Sequence, residues 1–194
     1  MTSSIDAVTR DWDGLTIPAA GTYVLDAAHK RVGFVARHMM VSKVRGEFNE
    51  ATATITIAED PLQSSVVATI QAASIDTTQG DRDAHLRSPE FLDAEKYPTL
   101  EFRSTGVKSR NGNEFVLNGE LTIKDVTRPV ELKVEFEGVG RSPFGAQDVF
   151  GFSASTEIDR EEFGLTWNVA LETGGVLVGR KIKIEIEGEG IRQA

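Results

Sequence analysis

The side chains that could do chemistry in this chain are few and widely spaced. Its three histidines, His29, His38 and His85, lie far apart in the sequence. None belongs to a metal-binding spacing such as H-E-x-x-H. His38 or His85 could serve as the general base of an enzyme. We favour hydrogen-bonded structural histidines instead, because no nucleophile stands at a spacing that would pair with either ring.

Charged residues are concentrated in one short run, Asp81–Arg87. Asp83 and Arg87 are four residues apart, so they would share one face of a helix. In one interpretation, salt bridges tie this helix to neighbouring strands, and each contributes about 0–1 kcal/mol if it is exposed. In the other, Arg82 or Arg87 meets the polar head group of a ligand. We favour the first interpretation.

Several classes of function are disfavoured by composition and by missing motifs. There is no G-x-S-x-G elbow and no P-loop. The 194 residues include no cysteine, which excludes disulfides, thiolate nucleophiles and Cys–metal sites. The net charge of −9, from 21 basic and 30 acidic residues, would repel a phosphate backbone, so we expect no nucleic-acid partner. The sequence therefore predicts a protein that is not an enzyme and has neither metal nor cofactor.

The first 20 residues differ from the rest of the chain. They contain four charged side chains and no apolar run, so they do not resemble a secretory signal, and no segment of the chain is long enough to span a bilayer. We therefore expect a cytoplasmic protein with an N-terminal arm at residues 1–20 and one domain at residues 21–194. Trp12 could dock the arm on that domain or on a partner subunit, as in a homodimer, or the arm could be a loose tail.

Alternating apolar and polar residues predict β-strands along most of the chain. Ala51–Ala58, Glu114–Lys124 and Val130–Glu137 alternate cleanly, and Asn111-Gly112 is a strong hairpin signal. About eight such strands favour an all-β, up-and-down antiparallel barrel, which leaves no free edge. A barrel of this size encloses either packed side chains or one ligand.

The segment Ser74–Phe102 cannot be a strand. Thr78 begins a capping-box pattern, which predicts a helix that starts near Gln79. Ser88 followed by proline predicts a second helical turn at Glu90–Asp93. We therefore expect a helical insertion near residues 79–94 that forms a lid on the barrel.

Eight short motifs occur in order along the chain, and together they resemble the YceI-like polyisoprenoid-binding family over about residues 21–187. The motifs are Y-x-x-D-x-x-H (Tyr23, Asp26, His29), F-x-x-R-H (Phe34, Arg37, His38), G-x-F (Gly46, Phe48), S-I-D-T (Ser74–Thr77), R-D-x-H-L-x-S-x-x-F (Arg82–Phe91), Y-P (Tyr97, Pro98), G-x-L-T-I-x-x-V-T (Gly119–Thr127) and F-G-L-T-W-N (Phe163–Asn168). The resemblance implies a lipocalin-like barrel whose apolar tunnel holds a polyisoprenoid or other long-chain lipid.

Within such a barrel, inward-facing residues would contact the lipid. The expected tunnel lining is Phe34, Ala36, Phe102, Leu117, Leu121, Leu132, Phe136, Phe150, Phe152, Leu165, Trp167 and Ile184. The expected polar residues at the mouth are Arg37, His38, Asp83 and His85. Small inward residues such as Ala53, Gly119 and Ala154 favour a tunnel over a packed core, although apolar faces suit both.

Three hypotheses of function follow. The first is a non-enzymatic protein that binds, transports or stores a polyisoprenoid in the tunnel. The second is an enzyme that acts on such a lipid. The third is an interaction module that docks through the arm around Trp12.

Overall fold

The computed structural model of the protein describes residues 8–143 and 147–193. This part of the chain contains twelve strands and one α-helix. In chain order they are β1 (Thr9–Trp12), β2 (Leu15–Pro18), β3 (Gly21–His38), β4 (Ser42–Phe48), β5 (Ala51–Ile57), β6 (Ser65–Gln71), β7 (Ile75–Asp76), α1 (Gly80–Arg87), β8 (Thr99–Asn111), β9 (Glu114–Ile123), β10 (Val126–Arg141), β11 (Asp148–Asp159) and β12 (Val178–Arg192).

The long strands close into an antiparallel barrel. From β5 the sheet continues through β6, β8, β9, β10 and β11 to β12, and β12 pairs with β3 to complete the ring. Strands β4 and β5 pair with successive parts of the same edge of β3, so they act as one bent wall strand. The expected eight-stranded, lipocalin-like barrel is thus confirmed. Polar residues on its outer face alternate with apolar residues on its inner face, as the sequence pattern predicted.

Strand β3 is irregular at its centre. Leu25 pairs with Gly190 on β12, and Lys30 pairs with Gly188. Five residues of β3 therefore span two residues of β12, so β3 carries a bulge between Leu25 and Lys30. On its other edge, pairing with β4 begins only at Gly33. Such bulges bend a strand, and here the bend lets one strand run the full length of the barrel.

One end of the barrel is closed by α1 and the turns that follow it. Gln79 is the N-cap of α1, and its Oε1 accepts a hydrogen bond from the amide of Arg82 at 2.5 Å. The helix therefore begins one residue later than predicted. Leu86 and Leu92 pack on the buried cluster around Phe163. The expected lid is present at this end, which we call the closed end.

The second predicted helical turn is absent. Residues 89–92 form hydrogen-bonded turns instead. The amide of Leu92 bonds to the carbonyl of Leu86 and that of Ala94 to the carbonyl of Arg87. The chain thus folds back on α1 and satisfies its terminal carbonyl groups, which a new helix would leave unpaired.

The opposite end of the barrel is covered by the hairpin of β1 and β2, which we call the N-terminal hairpin. The Trp12 ring stacks on Phe115, with ring centroids 6.4 Å apart and planes at 16°. The guanidinium of Arg110 lies 4.4 Å from the Trp12 ring centroid and bonds to Asp13. The expected arm is therefore a folded hairpin from Thr9 onward, and its tryptophan docks on the barrel of the same chain.

The segment between β11 and β12 is held by one buried arginine, Arg160, which is 2% exposed. Its Nε donates to the Gly179 carbonyl at 3.0 Å, and its Nη1 donates to the carbonyls of Leu165 and Trp167. Burial lowers the pKa of Arg160 from its ordinary value. The cation is stabilised mainly by backbone dipoles, which tie this connecting segment to β12.

Replacement of Arg160 by methionine should therefore destabilise the protein. Several buried carbonyl groups would lose their donor, and each unsatisfied group costs about 1–3 kcal/mol. We expect the free energy of unfolding, measured by urea denaturation, to fall by about 3 kcal/mol or more. Arg128 is the matched control, because it is exposed and its side chain donates to the Glu162 carbonyl at 3.2 Å. Equal losses for Arg160→Met and Arg128→Met would contradict this account.

Candidate ligand-binding site

A cavity of about 310 Å³ lies inside the barrel. It extends from Leu100 and Ile123, beside the closed end, to Trp12 and Ile17 of the N-terminal hairpin. Its walls are almost entirely apolar. Among the residues that the structure describes, no charged residue lines it, and the polar residues of the lining are Thr52, Ser64, Ser65 and Thr156.

The inward-facing side chains are not fully covered by one another. On β5, Ala53, Ile55 and Ile57 face inward but are only half-buried. Inward aliphatic residues of a filled barrel would be buried as completely as those of a domain core, because protein interiors pack to crystal-like density. The surface that these residues keep shows that the centre of the barrel is open.

Phenylalanine rings that line the cavity lie against glycines of neighbouring strands. An ideal Cβ built at Gly46, Gly119 or Gly190 would lie closer than 3.0 Å to such a ring, and at Gly188 it would lie 3.2 Å from one. The four pairs are Phe34 on Gly46, Phe102 on Gly119, Phe150 on Gly190 and Phe152 on Gly188. Each ring occupies the space above a residue without a side chain and so lies along the wall. This arrangement keeps large apolar residues out of the central space.

The role of these glycines was not foreseen from the sequence. Gly119 was expected to leave empty space, but the Phe102 ring fills that space. Gly188 and Gly190 were not among the expected site residues. The pairing of β11 with β12 would have pointed to them. In this register, Gly188 and Gly190 each lie directly opposite an inward phenylalanine of β11.

Most of the residues expected to line a tunnel do line the cavity. These are Phe34, Phe102, Leu117, Leu121, Leu132, Phe136, Phe150, Phe152 and Ile184. Three others lie elsewhere. Ala36 is opposite Ile182 near the closed end, Leu165 is buried in the closed-end cluster, and Trp167 packs on His85 and Phe91.

The four residues expected at a polar mouth do not reach the cavity. The buried Asp83 carboxylate accepts hydrogen bonds from the amide and hydroxyl of Thr77, at 2.8 and 2.5 Å. His85 Nε2 is 2.5 Å from a Glu90 carboxylate oxygen. Arg37 and His38 occupy the last two positions of β3. Asp83 and His85 therefore act locally, Asp83 as a tether between α1 and Thr77 and His85 as a hydrogen-bonded ring, and all four residues lie at the closed end.

One further cluster of possible metal ligands lies on the outer face. Asp26, His29 and Glu189 bring their ligand atoms within 4.8 Å of one another at the bulge of β3. The hydrogen bond between His29 and Asp26, at 2.7 Å, raises the pKa of His29 and lowers the pKa of Asp26. These opposite shifts are those of an ion pair, and the ion pair accounts for the cluster.

The ring–glycine contacts predict the effect of a single added methyl group. In Gly190→Ala the new Cβ would collide with Phe150, so the ring must move into the cavity. Overpacking of this kind costs about 1–3 kcal/mol, which urea denaturation would detect. A crystal structure of the variant should show the Phe150 ring displaced from the wall.

Gly140→Ala is the control for this change. Gly140 lies on β10, and its added Cβ would meet Val149 at an ordinary 3.6 Å. We expect its unfolding free energy to stay within about 0.5 kcal/mol of the parent value. An unmoved Phe150 ring in stable Gly190→Ala protein would show that the ring does not depend on the glycine.

Comparison with known proteins agrees with this geometry. A closed antiparallel barrel with an apolar interior is the architecture of lipocalin-like proteins. Residues 23–190 match a protein family described as "YceI-like domain", and the chain belongs to this family. The N-terminal hairpin precedes the matched region.

Relatives are found among staphylococcal proteins. A UPF0312 protein of Staphylococcus epidermidis is 40% identical over 165 residues, which cover 84% of this chain and 94% of the relative. A UPF0312 protein of Staphylococcus aureus is 36% identical over 168 residues, which cover 86% of this chain and 95% of the relative.

Solved structures share the fold. A Campylobacter jejuni YCEI protein has a TM-score of 0.69 and 26% identity, covering 79% of this chain and 88% of its own. BcnA of Burkholderia cenocepacia has a TM-score of 0.72 and 23% identity, covering 85% and 98%. A polyisoprenoid binding domain from Saccharophagus degradans has a TM-score of 0.66 and 11% identity, covering 90% and 100%. The last two show the fold alone.

Proposed function

We propose that this protein binds a prenyl lipid, or a similar long apolar lipid, inside the barrel and carries or stores it without chemical change. The observation that supports the proposal is the cavity of about 310 Å³, whose described lining contains no charged residue. A site of this kind suits a ligand that is recognised by its shape and its lack of polar groups. The solved Saccharophagus degradans domain is named for polyisoprenoid binding, which agrees with this choice of ligand.

The volume of the cavity limits how many carbon atoms of the lipid it can enclose. A cavity of about 150 Å³ accommodates one benzene molecule, so twice that volume holds on the order of a dozen carbon atoms. This corresponds to two or three isoprene units. A longer tail would extend past the N-terminal hairpin or require side chains to move.

Burial of that many carbons is enough for binding without any directional contact. At about 0.8 kcal/mol per methylene, a dozen carbons contribute on the order of 10 kcal/mol. Association costs at least about 4 kcal/mol in lost freedom of motion. The remainder, about 6 kcal/mol at most, corresponds to a dissociation constant of about 40 µM or weaker.

The orientation of the ligand follows from the few polar groups in the lining. Ser64 and Ser65 lie at the start of β6, the end of the barrel that the N-terminal hairpin covers. Of the other two polar lining residues, Thr52 is exposed on β5 and Thr156 on β11 is opposite Ile184, while the end around Leu100 and Ile123 is buried. A lipid would therefore place its head group near the two serines and its tail toward the closed end.

The placement of the histidines supports binding without catalysis. Neither His38 nor His85 lines the cavity, so the general base of the enzyme hypothesis would have no access to a bound lipid. The described lining contains no carboxylate, lysine or cysteine that could replace it. No observation on the described residues favours the enzyme over the carrier.

A series of prenyl alcohols tests the proposal. We expect affinity to rise from dimethylallyl alcohol through geraniol to farnesol, because each added unit fills more of the cavity. It should then level off at geranylgeraniol, since about three units fill the space. Isothermal titration calorimetry of the full chain would measure this dependence. Absence of binding across the series would overturn the proposal.

Two substitutions on β5 test whether the lipid binds inside the cavity. Ala53→Phe places a ring in the cavity, whereas Thr54→Phe places the same ring on the outer face of β5. We expect Ala53→Phe to weaken farnesol binding at least tenfold and Thr54→Phe to leave it unchanged. Equal effects of the two changes would show that the alcohol binds outside the barrel.

A further inference from the structure

Exposed apolar side chains are concentrated at the closed end of the barrel. Among the described residues, seven large hydrophobic side chains are exposed, and five of them are at this end. Val41 is 78% exposed and Met40 is 58% exposed. We call these five residues the apolar tip: Met39, Met40, Val41, Val169 and Val176.

Backbone hydrogen bonds hold the two segments of the apolar tip together. The turn between β3 and β4 carries Met39, whose amide donates to the carbonyl of Leu177 at 2.8 Å. The amide of Leu177 in turn donates to the carbonyl of Val169 at 2.9 Å. The tip is therefore a single surface built by two adjacent turns.

The turn at Met39 and Met40 has a backbone conformation that methionine rarely adopts. Both residues have positive φ, at 50° and 60°. The amide of Val41 bonds back to the carbonyl of His38, so the two methionines occupy the central positions of a tight turn. Asparagine and glycine are the residues that normally fill these positions in hairpins. A preference for stability alone would not place methionines here, so their side chains point to a role outside folding.

Unpaired cations flank the apolar tip. Arg37 on β3 and Lys43 on β4 are opposite each other, and both are exposed. Neither forms an ion pair within the described part of the chain. Arg45 is exposed beyond them, 3.8 Å from Glu185. Residues 36–46 contain no carboxylate, although the whole chain carries a net charge of −9.

We propose that the apolar tip docks on the surface of an anionic lipid bilayer. Its methionine and valine side chains would enter the interface between head groups and acyl chains, and Arg37 and Lys43 would lie at the level of the anionic head groups. Glu172, on the turn that carries Val169 and Val176, is the carboxylate that opposes this attraction. The docking surface is separate from the cavity and does not rest on the proposed ligand.

The test is co-sedimentation of the full chain with large vesicles. One set contains phosphatidylcholine alone, and the other contains phosphatidylcholine mixed with phosphatidylglycerol. We expect binding to the anionic vesicles and much weaker binding to the neutral ones. Added salt should reduce the difference, because it screens the head-group charge.

Two double variants separate the apolar contribution to vesicle binding from the electrostatic contribution. Met40→Ser/Val41→Ser should weaken binding by at least about tenfold, because it removes the inserted apolar surface. Arg37→Gln/Lys43→Gln should weaken binding to anionic vesicles by about 25-fold, since each cation near such a surface contributes about fivefold. Val67→Ser is the matched control, because Val67 is 40% exposed on β6, away from the tip.

A third variant distinguishes loss of docking from loss of folding. Met39→Asn/Met40→Gly relieves the strained turn, so it should raise Tm while it abolishes vesicle binding.

Three outcomes would overturn the proposal. The first is no binding of the parent protein to either kind of vesicle. The second is an equal loss in Val67→Ser and Met40→Ser/Val41→Ser. The third is self-association in solution that Met40→Ser/Val41→Ser abolishes while vesicles leave the parent protein unbound, which would identify a second copy of this chain as the occupant.

Discussion

The open interior depends on where the phenylalanine rings lie. A ring that projects straight inward from the wall of an eight-stranded barrel reaches toward the opposite strand and would close the lumen. Here the rings of Phe34, Phe150 and Phe152 lie over glycines on the adjacent strand instead. A glycine on one strand thus leaves room for the phenylalanine ring of the adjacent strand to lie along the wall. The centre of the barrel stays open as a result.

An unfilled lumen has a thermodynamic cost, which the rest of the barrel offsets. Empty apolar space forfeits dispersion contacts and destabilises a protein in proportion to its volume. The closed end compensates with a buried cluster that includes Leu100, Ile123, Phe163 and Leu165. At the other end, the N-terminal hairpin covers the cavity and buries its own Ile17 against the barrel. Stability therefore comes from the closed end, while the space between the two ends is left for a ligand.

The sequence was sufficient for the barrel and for most of its lining, because both follow from strand alternation. Alternation gives the face of a residue but not its height along the barrel axis, and this explains why Ala36 lies outside the cavity lining. Leu165 and Trp167 lie outside it because they belong to the connecting segment between β11 and β12 and not to a strand. The helix α1 was foreseen, but the second helical turn predicted at Glu90–Asp93 is absent. The backbone hydrogen bonds that fold residues 89–92 against α1 instead have no sequence pattern. The cytoplasmic location and the lack of a nucleic-acid partner remain predictions.

The central claim is that the lumen is open between wall-bound rings. Crystals of the protein pressurised with xenon test it directly, because xenon enters dry apolar cavities. The account predicts xenon density inside the barrel, bordered by Phe102 and Phe150, with each ring lying over its glycine. Rings that meet across the lumen, with no xenon between them, would contradict it.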